Sequence, residues 1–192
     1  MPNPVEQLHN EYEAIAEYLI AANQISMLND LNKNFRKIIL LSASSYFEHA
    51  ITKILTEFVR VKSDNDQRIV NFLEKQAISQ KYHTLFDWGK QGVLQEYEKK
   101  GANKFWKLFG DNFKTQIELE LKPQKGETEE QLRNKEYINQ AIEAFIEIGH
   151  HRNILVHSNF ADYDYDQKTS KEIYDLFKKG EHFLTFLKEK LI

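Results

Sequence analysis

Helical periodicity that glycine and proline rarely interrupt is the feature that most constrains the fold of this chain. Its 192 residues include only three prolines and seven glycines. Apolar residues recur every three or four positions, which is the spacing of one face of an α-helix. This spacing predicts a first helix over residues 5–28 and a second over residues 35–62, with a polar break at 29–34 between them. The sequence therefore predicts an all-α fold.

Helix start signals mark two further long helices in the C-terminal third of the chain. Thr128 with Gln131, and Thr169 with Glu172, have the spacing of a capping box. The first pair starts a helix that continues to His157, and the second starts the last helix. Glycines and lysines accumulate over residues 89–127, which we predict to be inserted short helices and loops. We expect one helical domain over residues 1–192, a bundle of four main helices with short additional helices.

Composition limits the classes of site and compartment. The chain has a net charge of −3 and no cysteine, which excludes disulfides and thiolate zinc sites and fits a reducing compartment. Because there is no general basic excess, any contact with nucleic acid depends on a local patch. The N-terminal residues do not have the pattern of a signal peptide, and the most apolar window, residues 38–47, is too short to span a membrane. We therefore expect a cytoplasmic protein with no membrane partner.

The run Arg-Asn-Ile-Leu-Val-His at residues 152–157 ends the third main helix. The apolar seam of that helix, continued in steps of three and four, reaches Arg152, where a charge is costly unless it is paired or functional. Asn153 and His157 are four residues apart, and His150 lies on the same stripe. We therefore expect the guanidinium of Arg152, the amide of Asn153 and one or two of the imidazoles of His150 and His157 to lie close together at this helix end. The alternative is a surface arginine and a terminal histidine that only interacts with the last carbonyls.

A carboxylate interrupts the corresponding apolar stripe of the second helix. That stripe contains Leu41, Ser44, Glu48, Ile51 and Leu55. A carboxylate on such a stripe needs a partner, and Arg152 on a facing helix is the natural one. The pattern predicts that the two helices pack together with Glu48 within ion-pair distance of Arg152. Such a bridge either supports a chemical site or is purely structural.

The motif and its context resemble a known family. Arg-Asn-x-x-x-His at the end of a late helix, here Arg152, Asn153 and His157, resembles the HEPN superfamily and most closely its RiboL-PSP-type branch. Residues 40–50, which end near an aromatic residue and Glu48, are similar to the aliphatic early helix of that branch. With the order of the helices, the resemblance covers most of residues 30–190. It implies metal-independent endoribonuclease chemistry at a homodimer interface, without a cofactor.

The resemblance also implies roles for the site residues. Arg152 would bind the scissile phosphate, because its guanidinium stays charged and matches phosphate oxygens. His157 would move protons between the ribose 2′-hydroxyl and the leaving oxygen, since histidine titrates near neutrality. Asn153 would orient the phosphate or the imidazole, with Glu48 and His150 in support. RNA would be the substrate, and the protein would belong to a prokaryotic defence or toxin system.

The chain departs from the family pattern at one position. Members that are paired with a nucleotidyltransferase antitoxin carry a tyrosine two residues after the motif histidine, whereas this chain has Asn159 there. We expect an antitoxin or an associated defence protein as a partner. We do not expect regulation by modification at position 159, because the tyrosine is absent there. Because some superfamily members lack nuclease activity, the alternative function is a non-catalytic module that binds RNA, nucleotide or protein.

Lysines alternate with aromatic residues over residues 97–109, as in platforms for single-stranded RNA. In that interpretation the lysines contact phosphates and the rings stack on bases. The alternative is that the aromatic residues are core and the lysines are solvated. The candidate RNA contacts are Lys99, Lys100, Lys104, Trp106 and Lys107.

Two Glu-x-x-His pairs have the spacing used in helical di-iron sites: Glu6 with His9, and Glu147 with His150. Such a site also needs carboxylates from two further helices, for which Glu48 and Glu181 are the convenient residues. A glutamate in the first turn of a helix, as Glu6 is predicted to be, is explained by the helix dipole alone. We therefore predict no metal site.

Overall fold

The computed structural model describes residues 3–79, 81–89, 97–158, 160–161, 163 and 168–192, and of residues 97–101 the backbone only. Its helices are α1 (Pro4–Ala21), α2 (Ile25–Lys62), α3 (Gln67–Leu73), α4 (Tyr82–Leu85), α5 (Tyr97–Lys107), α6 (Asp111–Leu121), α7 (Glu129–His157) and α8 (Ser170–Leu191). A π-helical turn, Glu74–Ile78, follows α3. No strand occurs in these ranges, which confirms the all-α prediction.

Three long helices, α2, α7 and α8, pack against one another, and α1 lies on α2 and touches α8. The shorter elements cover this framework: α3 and the π-helical turn contact α2, α5 contacts α7, and α6 contacts both α5 and α7. The predicted packing of the second helix against the motif helix is confirmed. The region predicted as short insertions contains α5 and α6.

Aromatic side chains form the centre of the core. Phe47 of α2 lies between Phe145 of α7 and Phe177 of α8, with ring centroids 5.1 and 5.3 Å away. Gly180 allows this approach, because a Cβ at that position would lie 2.7 Å from the Phe47 ring. Burial of each such ring stabilises the fold by roughly 2–3 kcal/mol. The core therefore fixes the position of α7 relative to α2 and α8.

The boundary between the first two helices differs from the prediction. α1 ends at Ala21, α2 begins at Ile25, and residues 29–34 are helical. Asn23 has a φ of 54°, a left-handed conformation that asparagine tolerates better than most residues and that ends a helix. Most of the polar residues at 29–34 are on the exposed side of α2, where a helix accepts them readily.

Both predicted capping boxes are present. The Thr128 hydroxyl accepts a hydrogen bond from the Gln131 amide at 3.3 Å, and the Gln131 side chain accepts one from the Thr128 amide at 2.8 Å. Thr169 and Glu172 make the same reciprocal pair at the start of α8. These caps satisfy amides that the first turn of a helix leaves without partners, and so they fix where α7 and α8 begin.

Candidate functional site

The motif run occupies the last two turns of α7. The helix ends at His157, and Ser158 takes an extended conformation with φ −107° and ψ 166°. Arg152 and Asn153 are half-buried, whereas His157 is exposed. The motif therefore runs from the side of the bundle to an accessible final turn, with its histidine at the accessible end.

Arg152 lies beside Asn153 and within electrostatic range of Tyr82. Its Nη1 donates a hydrogen bond to the Asn153 side-chain oxygen at 3.3 Å. Burial raises the pKa of the Tyr82 hydroxyl, the charge of Glu48 raises it further, and the charge of Arg152 lowers it. Residues from α2, α4 and α7 therefore share one neighbourhood, in which a neutral phenol lies near one cation and one anion.

Glu48 and Arg152 do not form the predicted ion pair. Both residues are half-buried, and no salt bridge joins them among the residues that the structure describes. Each side chain keeps access to water, which solvates separated charges, and Tyr82 of α4 lies within electrostatic range of both. The prediction rested on the apolar stripes of α2 and α7 and did not include α4.

His150 is directed into the protein and away from the accessible end of the motif. Its side chain is 2% exposed, and its Nδ1 donates a hydrogen bond to the main-chain carbonyl of Trp88 at 2.5 Å. The stripe that His150 shares with Asn153 and His157 therefore passes from the core to the surface within two turns. His150 supports the segment next to the motif and is not accessible to a substrate.

The segment that carries Trp88 packs closely on α7 at Gly149. A Cβ at position 149 would overlap the six-membered ring of the Trp88 indole. The indole Nε1 also donates to the His83 carbonyl at 3.0 Å, which closes the segment on itself. Gly149 is therefore required by the close approach of a side chain and not by its own backbone conformation. The Tyr82 ring packs on the Trp88 ring with a centroid distance of 5.7 Å, so the same close approach helps to position Tyr82.

His151, which no sequence pattern singled out, has the most strongly lowered histidine pKa in the described part of the chain. Burial, followed by the nearby positive charges of His150 and Lys168, lowers the pKa of His151 to about 3. Its Nδ1 lies 3.0 Å from the Tyr163 hydroxyl. His151 is thus a neutral, buried residue that ties α7 to the segment before α8. No signal in the sequence identifies this contact, because Tyr163 lies outside any periodic pattern.

Lys37 of α2 holds the chain that leaves the motif helix. Its side chain is 3% exposed, and its Nζ donates to the carbonyl oxygens of Phe160 and Ala161 at 2.5 and 3.2 Å. The Nζ also lies 5.0 Å from the centre of the Phe160 ring. The sequence did contain a signal for this residue, because a step of four back from Leu41 along the apolar stripe of α2 reaches Lys37.

The described side chains of the predicted RNA platform on α5 lie in two different environments. Trp106 is 1% exposed and packs against Phe183 of α8 with a centroid distance of 5.8 Å, so its ring cannot stack on a base. Lys104 and Lys107 are exposed, and Lys107 lies 3.8 Å from the Asp111 carboxylate. The side chains of Lys99 and Lys100 lie outside the described residues. Trp106 is therefore a core residue, and Lys104 and Lys107 lie on the solvent-facing side of α5.

The residues of the Glu-x-x-His pairs make other contacts. Glu147 forms an ion pair with Lys168 at 3.1 Å, and the His9 ring stacks on Tyr174 at 3.9 Å. Glu181 accepts a hydrogen bond from Asn3 at 2.9 Å. Within the described ranges, no group of three or more metal-ligating side chains comes together. The arrangement that a di-iron site requires is not assembled by these residues.

The family model described as RiboL-PSP-HEPN matches residues 6–192. The chain belongs to the RiboL-PSP-HEPN family. HEPN domains are generally associated with ribonuclease activity, and the family suggests RNA as the substrate. No curated protein and no solved structure matches the chain.

This RiboL-PSP-HEPN domain combines two features that matter for chemistry. A cation and an amide are held half-buried on α7, and an imidazole is exposed at the end of the same helix. A guanidinium and an amide bind phosphate oxygens, and an imidazole exchanges protons.

Among the described helices, none has the length and hydrophobicity that a membrane span requires.

Proposed function

We propose that this domain is a metal-independent endoribonuclease of a prokaryotic defence or toxin system. The observation that carries the proposal is the position of His157 on the accessible final turn of α7, beyond half-buried Arg152 and Asn153. Membership of a family generally associated with ribonucleases supports it. The substrate is RNA, because the reaction uses the 2′-hydroxyl as nucleophile.

The reaction proceeds by transesterification within the strand. His157 of one copy removes the 2′-hydroxyl proton, and the oxygen attacks the adjacent phosphorus. Arg152 stabilises the charge that develops on the phosphoryl oxygens, and Asn153 orients the phosphate or the imidazole. The bond to the 5′-oxygen breaks, and that oxygen takes a proton from a second imidazole. The products are a 2′,3′-cyclic phosphate and a 5′-hydroxyl.

A second copy of the chain supplies the second imidazole. Arg152 and His157 are five residues apart, which places them about 140° apart around the helix axis. His150 and His151 are buried, so in this part of α7 one copy offers His157 alone for proton transfer. A two-fold homodimer brings the partner's His157 to the same phosphate. A monomer at micromolar concentration, measured by light scattering, would contradict this part of the proposal.

A cleavage assay with matched RNA and all-deoxy strands in EDTA tests the mechanism. We expect cleavage of the RNA strand only. His157→Ala should lower the rate by roughly 10²–10⁴, the usual contribution of a positioned acid–base group. Arg152→Lys should also be impaired, because an ammonium lacks the planar two-pronged contact. His182→Ala is the matched control, since exposed His182 packs on Tyr137, about 30 Å along α7 from His157.

The same assay separates the enzyme from the alternative. Undiminished cleavage by His157→Ala, or cleavage that requires a divalent metal, would sink the mechanism. RNA binding without cleavage by the unaltered protein would instead favour a non-catalytic binding module. Growth arrest on expression that His157→Ala abolishes and His182→Ala retains would support the toxin role.

A further inference from the structure

A polar cleft separate from the motif lies between α1, α2 and the start of α8. It has a volume of about 410 Å³. Three cationic residues, Arg36, Lys168 and Lys171, line it together with one carboxylate, that of Glu13. Glu147 offsets the charge of Lys168 and Glu13 offsets a second charge, so the cleft keeps a small positive excess on a chain whose net charge is −3. The composition required any nucleic-acid contact to come from such a patch.

The wall of the cleft at α8 provides unused hydrogen-bond donors. Ser170 lines the cleft, its side chain is 3% exposed, and its hydroxyl has no hydrogen-bond partner among the described residues. A buried hydroxyl is costly without a partner, so it indicates a group that completes the site. The cleft is also at the positive end of a 22-residue helix, where the capping box uses the amides of Thr169 and Glu172 and the amides of Ser170 and Lys171 lie at the end that favours an anion.

The opposite wall adds a further donor. The Asn32 side-chain oxygen accepts a hydrogen bond from the Tyr12 hydroxyl, which leaves the NH₂ group of Asn32 as a donor at the cleft. Lys168 is held at the edge by its ion pair with Glu147 at 3.1 Å. Hydroxyl, amide and cationic groups thus converge from three helices on a space of suitable size. A ligand with several acceptor oxygens and negative charge, a phosphate group, matches them.

We propose that this cleft binds a second phosphate of the RNA strand, beyond the phosphate at Arg152. The inference rests on the proposed function for the identity of the strand. Arg36 is adjacent to Lys37, which holds the chain at Phe160, three residues after His157. Glu147, which pairs with Lys168, is ten residues before His157, or about 15 Å along α7. The edge of the cleft therefore contacts the motif helix through Lys168, and a strand that crosses this edge would reach both places.

Binding of a fluorescein-labelled single-stranded RNA tests the inference without cleavage. All proteins carry His157→Ala, and affinity is measured over a range of salt concentrations. Lys171→Ala should weaken binding about tenfold and make the slope of log affinity against log salt shallower by roughly 0.7–1, the effect of one lost phosphate contact. Lys179→Ala is the matched control, because it removes an exposed lysine from the same helix away from the cleft.

Ser170→Ala separates a role in RNA binding from a role in folding, because the two roles predict different changes in thermal stability. Removing a buried hydroxyl that has no partner should leave thermal stability unchanged or higher, while RNA binding falls about fivefold. RNA affinities of Ser170→Ala and Lys171→Ala equal to that of Lys179→Ala would overturn the inference, whatever the cleavage assay shows. If inorganic phosphate raises the thermal stability of the protein while Ser170→Ala and Lys171→Ala leave RNA affinity unchanged, the inference is overturned and the cleft is a site for free phosphate. Weaker RNA binding by both variants would uphold the inference even if the unaltered protein does not cleave RNA.

Discussion

The Nζ of Lys37 lies 2.5 Å from the carbonyl oxygen of Phe160, so an ammonium of α2 holds the chain that follows the motif helix. A buried ammonium is costly unless dipoles surround it. Here two main-chain carbonyls and the face of an aromatic ring provide that environment. The end of α7 is therefore fixed from outside the helix as well as by its own hydrogen bonds.

Lys37→Met should destabilise the protein by roughly 1–3 kcal/mol, because it removes a charged donor from two carbonyl oxygens. Urea unfolding followed by circular dichroism measures the change. Lys33→Met is the control, since Lys33 is exposed one turn earlier on α2. Equal unfolding midpoints for the two variants would show that the contact to Phe160 contributes nothing.

Glu48→Gln should cost less than about 1 kcal/mol of stability, because Glu48 is half-buried and no salt bridge joins it to Arg152 in the described part of the chain. Loss of one partner of a buried ion pair would instead cost roughly 3–5 kcal/mol. A double-mutant cycle with Arg152→Gln measures the coupling directly, and we expect it to be below about 0.5 kcal/mol. A coupling of several kcal/mol would restore the direct pair.

Gly149→Ala should destabilise the protein by roughly 1–3 kcal/mol, since the added methyl overlaps the Trp88 ring. The sign is diagnostic, because the same change inside an unobstructed helix stabilises by up to about 1 kcal/mol. Thermal unfolding of Gly149→Ala, Trp88→Leu and the double variant checks the cause. The methyl should cost much less when Trp88 is already absent, and strictly additive losses would rule out the overlap.

His151 should make the protein less stable in mild acid. Its pKa is about 3 when folded against an ordinary value of 6.5, so between these values the unfolded chain binds a proton that the folded chain does not. Stability therefore falls as the pH drops below 6.5, by roughly 2 kcal/mol at about pH 5. His151→Gln should show a smaller fall. Part of it should remain, because burial also lowers the pKa of His9.

The control for the pH dependence is His49→Gln, which changes an exposed histidine of α2. Urea unfolding at about pH 5, 6 and 7 should give the same pH dependence for this variant as for the unaltered protein. If His151→Gln and His49→Gln respond to pH alike, burial of His151 is not the cause of the acid sensitivity.

Features set by neighbouring residues were predictable from the sequence. The caps of α7 and α8 depend on residues three apart, Thr128 with Gln131 and Thr169 with Glu172, and both formed as predicted. The start of α2 was not predictable in the same way, because it depends on one residue, Asn23, entering a left-handed conformation. A run of polar residues is a weaker signal for a helix end than such a conformation.

The site was predictable only in part, because its contacts join distant segments. Periodicity placed Arg152, Asn153 and His157 on one helix end, but it could not show that Tyr82 of α4 lies within electrostatic range of Arg152. For Trp106 the sequence supported two interpretations, an RNA contact and a core residue, and the structure shows the core residue. Ala102, Phe105, Trp106 and Phe109 follow the spacing of a buried helix face, and the first three are buried.

The overlap between Trp88 and any side chain at position 149 links two positions that are 61 residues apart in the sequence. A relative with alanine at the position of Gly149 must have a smaller residue at the position of Trp88, or must move that segment away from the helix. In the second case the histidine at position 150 loses its carbonyl partner as well. Covariation of these positions should therefore divide the family into members that hold this segment against the motif helix and members that do not.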